Sequence, residues 1–175
     1  MKSIWAVASA LVLLTVNAGP RAQAQPPNVP DIDGFANVTE LYYDTPDPGM
    51  NTQRVLFSTP GGIECELRAP AMLGGTVRCH GPIPGLQNRP AVSDTNATAV
   101  CDFGDARFTT GNRAVVQQVH GQCPSFSGGR ALNPGQKIMV GTTSCGVVSA
   151  DVTACYDTIG DGHGFVLQPS GSWAF

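Results

Sequence analysis

Six cysteines constrain the fold of this chain more than any other feature. Because their number is even and an apparent export signal precedes them all, they most simply form a disulfide framework. Zinc sites usually contain cysteine pairs about two to four residues apart, whereas the closest two cysteines here are ten residues apart. We therefore predict three structural disulfides, with no metal site and no cofactor. The six are Cys65, Cys79, Cys101, Cys123, Cys145 and Cys155.

The N-terminal residues have the composition of an export signal. Lys2 precedes a mostly apolar run over residues 4–16, which is shorter than the roughly 20 apolar residues that a membrane-spanning helix needs. Ala22 and Ala24 supply the small residues that signal peptidase accepts, so we predict cleavage after Ala24, with an earlier alternative at Gly19. An uncleaved apolar anchor is the competing interpretation.

The chain divides on this basis into three parts. Residues 1–24 form the predicted signal peptide, residues 25–37 a proline-rich extended lead-in, and residues 38–175 a single disulfide-rich β domain. No second hydrophobic run approaches spanning length, so we expect no membrane span after signal cleavage.

The charge of the mature chain limits its partners. Without Lys2 and Arg21, eight of the ten basic residues remain against 13 acidic residues, which gives a formal charge of −5. This acidic balance argues against a nucleic-acid partner and against docking on anionic lipid. We expect the partner to be a protein or another component of the cell envelope.

Short strand-like segments dominate the chain after residue 52. They are rich in β-branched or aromatic residues and bounded by glycine, proline or asparagine, which is typical of an all-β sandwich or barrel of short antiparallel strands. Residues 113–120 also suit a helix, although we favour a strand, and residues 38–44 suit either a strand or a brief helical turn. The predicted strands are 53–59, 62–68, 76–80, 98–103, 106–110, 113–120, 136–142, 144–149, 151–157, 164–168 and 172–175.

Alternation along these strands indicates which cysteines meet. Cys65 falls on the same strand face as two aliphatic neighbours, and Cys79 falls on the same face as Val77. A hairpin that pairs the two strands sets both sulfurs side by side on the buried face, as a cross-strand disulfide requires. Other connectivities remain open from the sequence. Hairpin locality favours the pairs Cys65–Cys79, Cys101–Cys123 and Cys145–Cys155.

The glycine-rich segment DTIGDGHG, near the C-terminus, comes closest to a metal or catalytic motif. In a calcium loop of EF-hand type that starts at Asp157, an oxygen ligand belongs at the third position and glutamate at the twelfth, but Ile159 and Gln168 stand there. A turn that leads into a strand, with Asp161 bonding its own backbone, is the better interpretation. Asp161 and His163 therefore form only a weak alternative site.

No catalytic residue is assigned from the sequence. Ser127 and Ser170 lie beside glycine, but neither stands in the nucleophile motif of a serine hydrolase. Glu64 and Glu66 project from one strand face, which we interpret as solvated rather than as the carboxylate pair of a glycosidase. Trp173 lies in an apolar terminal segment and is expected to pack in a core.

Two long loops, residues 80–98 and 121–135, are candidate contact surfaces. Both are rich in proline and glycine and carry isolated arginines. Irregular loops on a rigid β scaffold commonly carry binding surfaces, and neighbouring disulfides would reduce the entropy cost of association. The alternative is that these loops only cover sheet edges.

Several short motifs resemble those of a known group of proteins. The motifs are FSTPGGIEC (57–65), VRC (77–79), TSCGV (143–147), TAC (153–155) and GHGF (162–165). Over roughly residues 56–175 the chain resembles small exported proteins of mycobacteria and related actinobacteria. The resemblance implies export to the cell envelope or the medium. It implies no reaction and no catalytic residues, since this group is largely of unknown function.

These observations favour a secreted or envelope-associated domain that acts by binding or as a structural component. One alternative is a small secreted hydrolase, which Asp161 and His163 clustered in a cleft with another histidine and a serine would favour. The other is a protease inhibitor that presents a disulfide-braced, proline-rich loop, which a protruding loop would favour.

Overall fold

The computed structural model describes residues 28–42, 52–70, 74–93, 98–126, 128–158 and 162–175. The predicted signal peptide, residues 1–24, lies outside the described residues. In chain order the elements are β1 (Ala36–Asn37), a 3-10 helix (Thr39–Leu41), β2 (Thr52–Ser58), β3 (Glu64–Pro70), β4 (Thr76–Gly81), β5 (Ala91–Ser93), β6 (Val100–Thr109), β7 (Val115–Gln122), β8 (Arg130–Ala131), β9 (Gln136–Val140), β10 (Thr143–Ser149), β11 (Val152–Asp157), β12 (Gly164–Leu167) and β13 (Trp173–Ala174).

Two sheets pack face to face as a sandwich, which confirms the predicted all-β class. The six-stranded sheet has the order β1-β9-β10-β11-β12-β13, and the seven-stranded sheet has the order β5-β7-β6-β4-β3-β2-β8. Both contribute to one hydrophobic core, with Phe57 and Leu67 from the seven-stranded sheet and Ile138 and Phe165 from the six-stranded sheet. Alternate side chains of each strand enter this core because successive residues of a strand point to opposite faces.

Three disulfides join the pairs that hairpin locality favours. Cys65–Cys79 links directly opposed residues of β3 and β4, and Cys145–Cys155 links directly opposed residues of β10 and β11, each with Cα atoms 4.1 Å apart. Both bridges are buried in the shared core, one in each sheet. Cys101–Cys123, with Cα atoms 5.0 Å apart, is only half-buried at one end of β6 and β7. Three intramolecular disulfides suggest an oxidising, extracytoplasmic environment.

The outer face of the six-stranded sheet is covered by the beginning of the described chain. We call residues 28–37 the N-terminal strap. Ile32 of the strap is fully buried against Ala154, Tyr156 and Val166, and Trp173 packs at the margin of this cluster. β1 then adds a parallel pairing to β9. The segment 25–37, expected as an extended lead-in, thus packs against the β domain over its described part.

The observed strands differ from the expected ones in two respects. The segments 98–103 and 106–110, expected as two strands, are joined in the single strand β6, which continues through Gly104 and Asp105 while Gly104 packs against Ile83. The short strands β1, β5 and β8 were not predicted, and all three pair in parallel. Residues 39–41 form the helical turn that was one of two expectations, and Val115–Gln122 is a strand rather than a helix.

Candidate functional site

The outer face of the seven-stranded sheet carries most of the basic residues that follow residue 24. Arg54, Arg68, Arg78 and Arg107 alternate along β2, β3, β4 and β6 with core residues, so their side chains project away from the core. Arg113 follows β6 and lines the same surface. We call this surface the arginine face. Its carboxylates are Glu64, Glu66 and Asp105.

Two arginines hold Glu66 on this face. Arg54 donates from Nε to Glu66 Oε1 at 2.6 Å, and Arg68 Nη2 lies 2.8 Å from the same oxygen. The Glu66 side chain is only 11% exposed, so the expectation of a solvated carboxylate at this position was wrong. The reason is tertiary, since Arg54 comes from the neighbouring strand β2. Glu64, two residues earlier, is more exposed, as expected.

A second pair of arginines holds Asp105. Arg78 Nε lies 3.2 Å from Asp105 Oδ1, and Arg107 Nη1 lies 2.6 Å from Asp105 Oδ2. Asp105 is buried, whereas the two arginine side chains are 43% and 49% exposed. Charged hydrogen bonds to both carboxylate oxygens compensate the desolvation of Asp105 and fix the position of both guanidinium groups. Sequence reasoning missed Asp105 because the Gly-Asp pair resembled a strand break.

A cleft opens beside this second pair. It has a volume of about 190 Å³, and we call it the arginine cleft. Its walls include three arginines, two threonines whose hydroxyls lie 3.3 Å apart, an asparagine and two apolar side chains. No carboxylate lines it among the described residues. The lining residues are Thr76, Arg78, Arg107, Phe108, Thr109, Asn112, Arg113 and Val115.

The turn that presents Arg113 is anchored to both sheets. Gly111 has φ +80° between β6 and β7, a conformation that favours glycine. Thr110, beside it, donates from its backbone N–H to the carbonyl of Gly75 at 2.9 Å and from its hydroxyl to the buried carboxylate of Asp157 in the six-stranded sheet. These contacts fix one end of the arginine cleft.

His80 lies next to Asp105 on the arginine face and is surrounded by aromatic rings. Phe126 and Phe103 contact the imidazole edge-on, with ring centroids 4.2 and 6.4 Å away. Burial lowers the pKa of His80; the Glu64 carboxylate, 3.4 Å from Nε2, opposes that shift, and Arg78 adds to it. Because burial is the largest cause, we treat the imidazole as neutral at pH 7 and its approach to Glu64 as a polar contact rather than an ion pair.

A serine, a histidine and an aspartate lie in one row at the edge of the same sheet. Cross-strand pairing sets Ser93 beside His120, and His120 beside Asp102. His120 Nδ1 is 2.6 Å from Asp102 Oδ1. The pair is open to water, with side chains 52% and 71% exposed. A cavity of about 360 Å³ adjoins Asp102. The signal for this row was absent from the local sequence, because each member comes from a different strand.

His163, singled out from the DTIGDGHG segment, is not part of either arrangement. Asp161 lies outside the described residues. The carbonyl of His163 accepts a backbone hydrogen bond from Asp157 at 2.9 Å, which extends the β11–β12 hairpin, and Gly162 has φ +66°. This geometry agrees with a turn. Ser127 also lies outside the described residues, and Ser170 is an exposed turn residue before β13.

The described parts of the two long loops pack against the β domain. Ile83 and Leu86 in the first loop are buried in the core, and Ser172 Oγ donates to the carbonyl of Pro84 at 2.6 Å. In the second loop Leu132 is buried in the core and Phe126 is buried against His80. The described parts of both loops therefore cover sheet edges. A protruding inhibitory loop is not found among the described residues.

No group of three or more histidine, cysteine, aspartate or glutamate side chains in the described ranges is arranged to hold a metal ion. Within those ranges no helix has the length and apolarity needed to cross a membrane.

Comparison of the chain with protein-family models, with curated proteins and with solved structures finds no significant match in any of the three.

Proposed function

We propose that this chain is a secreted or cell-envelope-associated, non-enzymatic binding domain that binds an anionic partner through the arginine face. One observation carries the proposal: five of the eight basic residues after residue 24 lie on this face, against three carboxylates among the described residues. The face thus has an excess of two positive charges, although the mature chain as a whole is acidic. Such a local field attracts anionic groups that the net charge would repel.

The way in which the arginine side chains are restrained supports a binding role rather than a purely structural one. The cross-strand pairs of β3, β4 and β6 hold the arginines in register, and Glu66 and Asp105 restrain four of them. Side chains that are already fixed before binding lose less entropy when a partner arrives. The Cys65–Cys79 bridge, directly beneath the face, further limits movement of β3 against β4.

The same proposal includes the export of the chain and its membership in a group of exported proteins. The disulfides and the apolar N-terminal run support export. The motifs quoted above support membership among small exported proteins of mycobacteria and related actinobacteria. The partner is a protein or an envelope component that carries anionic groups, and the exclusion of nucleic acid stays a prediction.

Retention on an anionic matrix tests this proposal. The oxidised mature chain is applied to immobilised dextran sulfate and to neutral dextran, and it is eluted with sodium chloride. We expect retention only on the sulfated matrix. The double variant Arg68→Gln/Arg113→Gln should elute at a clearly lower salt concentration, since it removes two exposed charges from the face.

The matched control removes the same charge elsewhere. Arg89→Gln/Arg130→Gln has the same net charge, but Arg89 bonds the carbonyl of Ser172 and Arg130 lies over the ring of Tyr42, both away from the face. Its elution should change little. Equal shifts for the two double variants, or no retention of the unmodified chain, would refute binding through the arginine face.

A small secreted hydrolase is the second candidate function. The Ser93–His120–Asp102 row favours it, because the imidazole Nδ1 bonds the aspartate, as in serine hydrolases, and the next strand brings a hydroxyl to the other side. We place the hydrolase second because His120 and Asp102 are exposed to water, and a water-filled site stabilises the charge that develops in a transition state poorly. Labelling by a fluorophosphonate probe tests it. Labelling of Ser93 that is lost in His120→Ala supports a hydrolase, and absence of labelling excludes an activated serine.

A further inference from the structure

We infer that the arginine cleft is a binding site for a phosphate monoester dianion, or for inorganic phosphate itself. This inference rests on the proposed function, because it names the group that the arginine face recognises. It places the ligand beside Arg78, Arg107 and Arg113, with Thr76, Thr109 and Asn112 as neutral hydrogen-bonding groups.

The charge of the cleft matches a dianion. Three guanidinium groups line it, and Asp105, behind two of them, supplies one negative charge. Two positive charges remain, whereas a phosphate monoester carries about −1.5 to −2 at pH 7. A carboxylate or a sulfate ester carries only one negative charge and would leave the cleft with uncompensated positive charge.

The guanidinium groups of Arg78 and Arg107 are held in place before a ligand arrives. Arg78 uses Nε for Asp105 and Arg107 uses Nη1, so each planar guanidinium keeps further N–H groups for a second acceptor. Asp105 accepts through both oxygens and is buried, which restrains both arginines. Asp105 is thus a positioning residue. The tetrahedral phosphate group presents three oxygens, which suits donors that converge from different strands.

Structural stability alone gives no reason for this concentration of charge. Arg78 and Arg107 are directly opposed on β4 and β6, an arrangement of like charges that destabilises a sheet. Asp105 offsets this repulsion, but Arg113 adds a third positive charge and has no ion-pair partner among the described residues. An anion bound between the three arginines would remove the repulsion.

The size and walls of the cleft limit the rest of the ligand. Its volume of about 190 Å³ is smaller than the roughly 300–1,000 Å³ of sites that enclose a whole drug-sized molecule. It therefore fits a phosphoryl group and the few atoms next to it, with Val115 as an apolar contact for the esterified group. The remainder of a larger ligand would lie across the open arginine face.

Calorimetry with small probes tests the site. The oxidised mature chain is titrated with phenyl phosphate, phenyl sulfate and inorganic phosphate at pH 7.5 and constant ionic strength. Phenyl phosphate and phenyl sulfate have nearly the same shape and differ in charge. We expect phenyl phosphate to bind about tenfold or more tightly than phenyl sulfate, as the loss of charge-assisted hydrogen bonds implies. Equal affinities would overturn a dianion site.

Variants locate the site on the face. Arg113→Gln should weaken phenyl phosphate binding about tenfold, because it removes an exposed cleft arginine with no role in the Asp105 pairs. Arg68→Gln removes an equally exposed arginine of the same face outside the cleft and should change the affinity less than about twofold. Equal losses would overturn the cleft as the site, while retention on dextran sulfate would leave the proposed function standing.

A last comparison identifies the source of the phosphate. If the natural ligand is an ester, Val115→Ala should weaken the binding of phenyl phosphate and leave the binding of inorganic phosphate unchanged. If inorganic phosphate binds as tightly as the ester and the variant affects neither, free phosphate is the ligand. Both results support the site. Absence of binding by either phosphate probe overturns it, whatever the behaviour on the sulfated matrix.

Discussion

The six-stranded and seven-stranded sheets share one core but differ on their outer faces. On the six-stranded sheet, Ala154, Tyr156 and Val166 are buried beneath the N-terminal strap. On the seven-stranded sheet, the outer positions carry arginines that remain in partial contact with water around the largely buried carboxylates of Glu66 and Asp105. Burying apolar side chains on both faces stabilises a sheet, whereas an open charged face contributes little to stability and stays accessible.

Polar contacts reinforce the covered face. Tyr156 donates from its hydroxyl to Asp33 Oδ1 at 2.9 Å, and Lys137 Nζ donates to the carbonyl of Asp33 at 2.6 Å. These bonds attach the strap to β11 and β9. The covered six-stranded sheet therefore contributes more buried apolar surface, whereas the seven-stranded sheet carries the face for which we propose a binding role.

The largest expected effect is that of reducing the disulfides, which stabilise both sheets. Each bridge is expected to contribute about 2–4 kcal/mol, so that three together are comparable with the about 5–15 kcal/mol of net stability of a typical domain. We expect the reduced mature chain to lose its β signal in circular dichroism at 25 °C. A reduced chain that keeps its spectrum and its midpoint in urea would contradict this.

Truncating one side chain on each outer face compares how much the two faces contribute to the free energy of unfolding. Ile32→Ala removes most of a fully buried side chain of the strap and should lower the free energy of unfolding by about 2–5 kcal/mol. Leu56→Ala changes a half-buried aliphatic side chain on the outer face of β2 and should cost less than about 1 kcal/mol. Urea denaturation measures both values. Equal losses would remove the distinction between the faces.

Neutralising the buried carboxylate tests how the arginine face is held. Asp105→Asn keeps the shape but weakens the charged hydrogen bonds to Arg78 and Arg107, and we expect a loss of about 1–3 kcal/mol. Asp102→Asn, the matched control on the same strand, changes an exposed pair and should cost at most about 1 kcal/mol. Thermal unfolding at constant salt compares them. A cost at Asp105 no greater than that at Asp102 would contradict the stabilising contribution of its hydrogen bonds to Arg78 and Arg107.

The smallest expected effect is a pH dependence that arises on the arginine face. Burial lowers the pKa of His80 below its ordinary value, so between about pH 6.5 and that lower pKa the unfolded chain binds more protons than the folded chain. Stability should therefore fall as the pH drops below about 6.5. The groups that face the imidazole are Glu64, Arg78 and Asp105. His80→Gln should remove this component of the urea midpoint between pH 7.5 and 5; an unchanged profile would contradict it.

The strands and the bridges were largely predictable because both depend on local patterns. Alternation along residues 62–68 and 76–80 indicates the buried face of each strand, and the short separation of Cys65 and Cys79 indicates their pairing. The short parallel strands β1, β5 and β8 were not predictable in the same way. The sequence of each short strand gives no indication of the strand with which it pairs.

The candidate sites depend on contacts between distant parts of the chain. Net charge indicated an acidic protein and gave no sign of the arginine face. Glu66 was expected to be solvated because its own strand does not reveal Arg54 beside it. Asp105 was hidden in an apparent strand break, and Ser93, His120 and Asp102 come from three strands. Each of these arrangements follows from strand register rather than from neighbouring residues.

The sequence by itself determined the all-β class and the disulfide framework, because period-two alternation and close cysteine pairs are properties of short segments. The tertiary structure alone decided which side chains meet on the outer faces. Pairing β4 with β6 sets Arg78 opposite Arg107, and the packing of Ile83 on Gly104 lets β6 continue through Asp105. Register between strands is set by the packing of the whole core, so no local pattern reveals it.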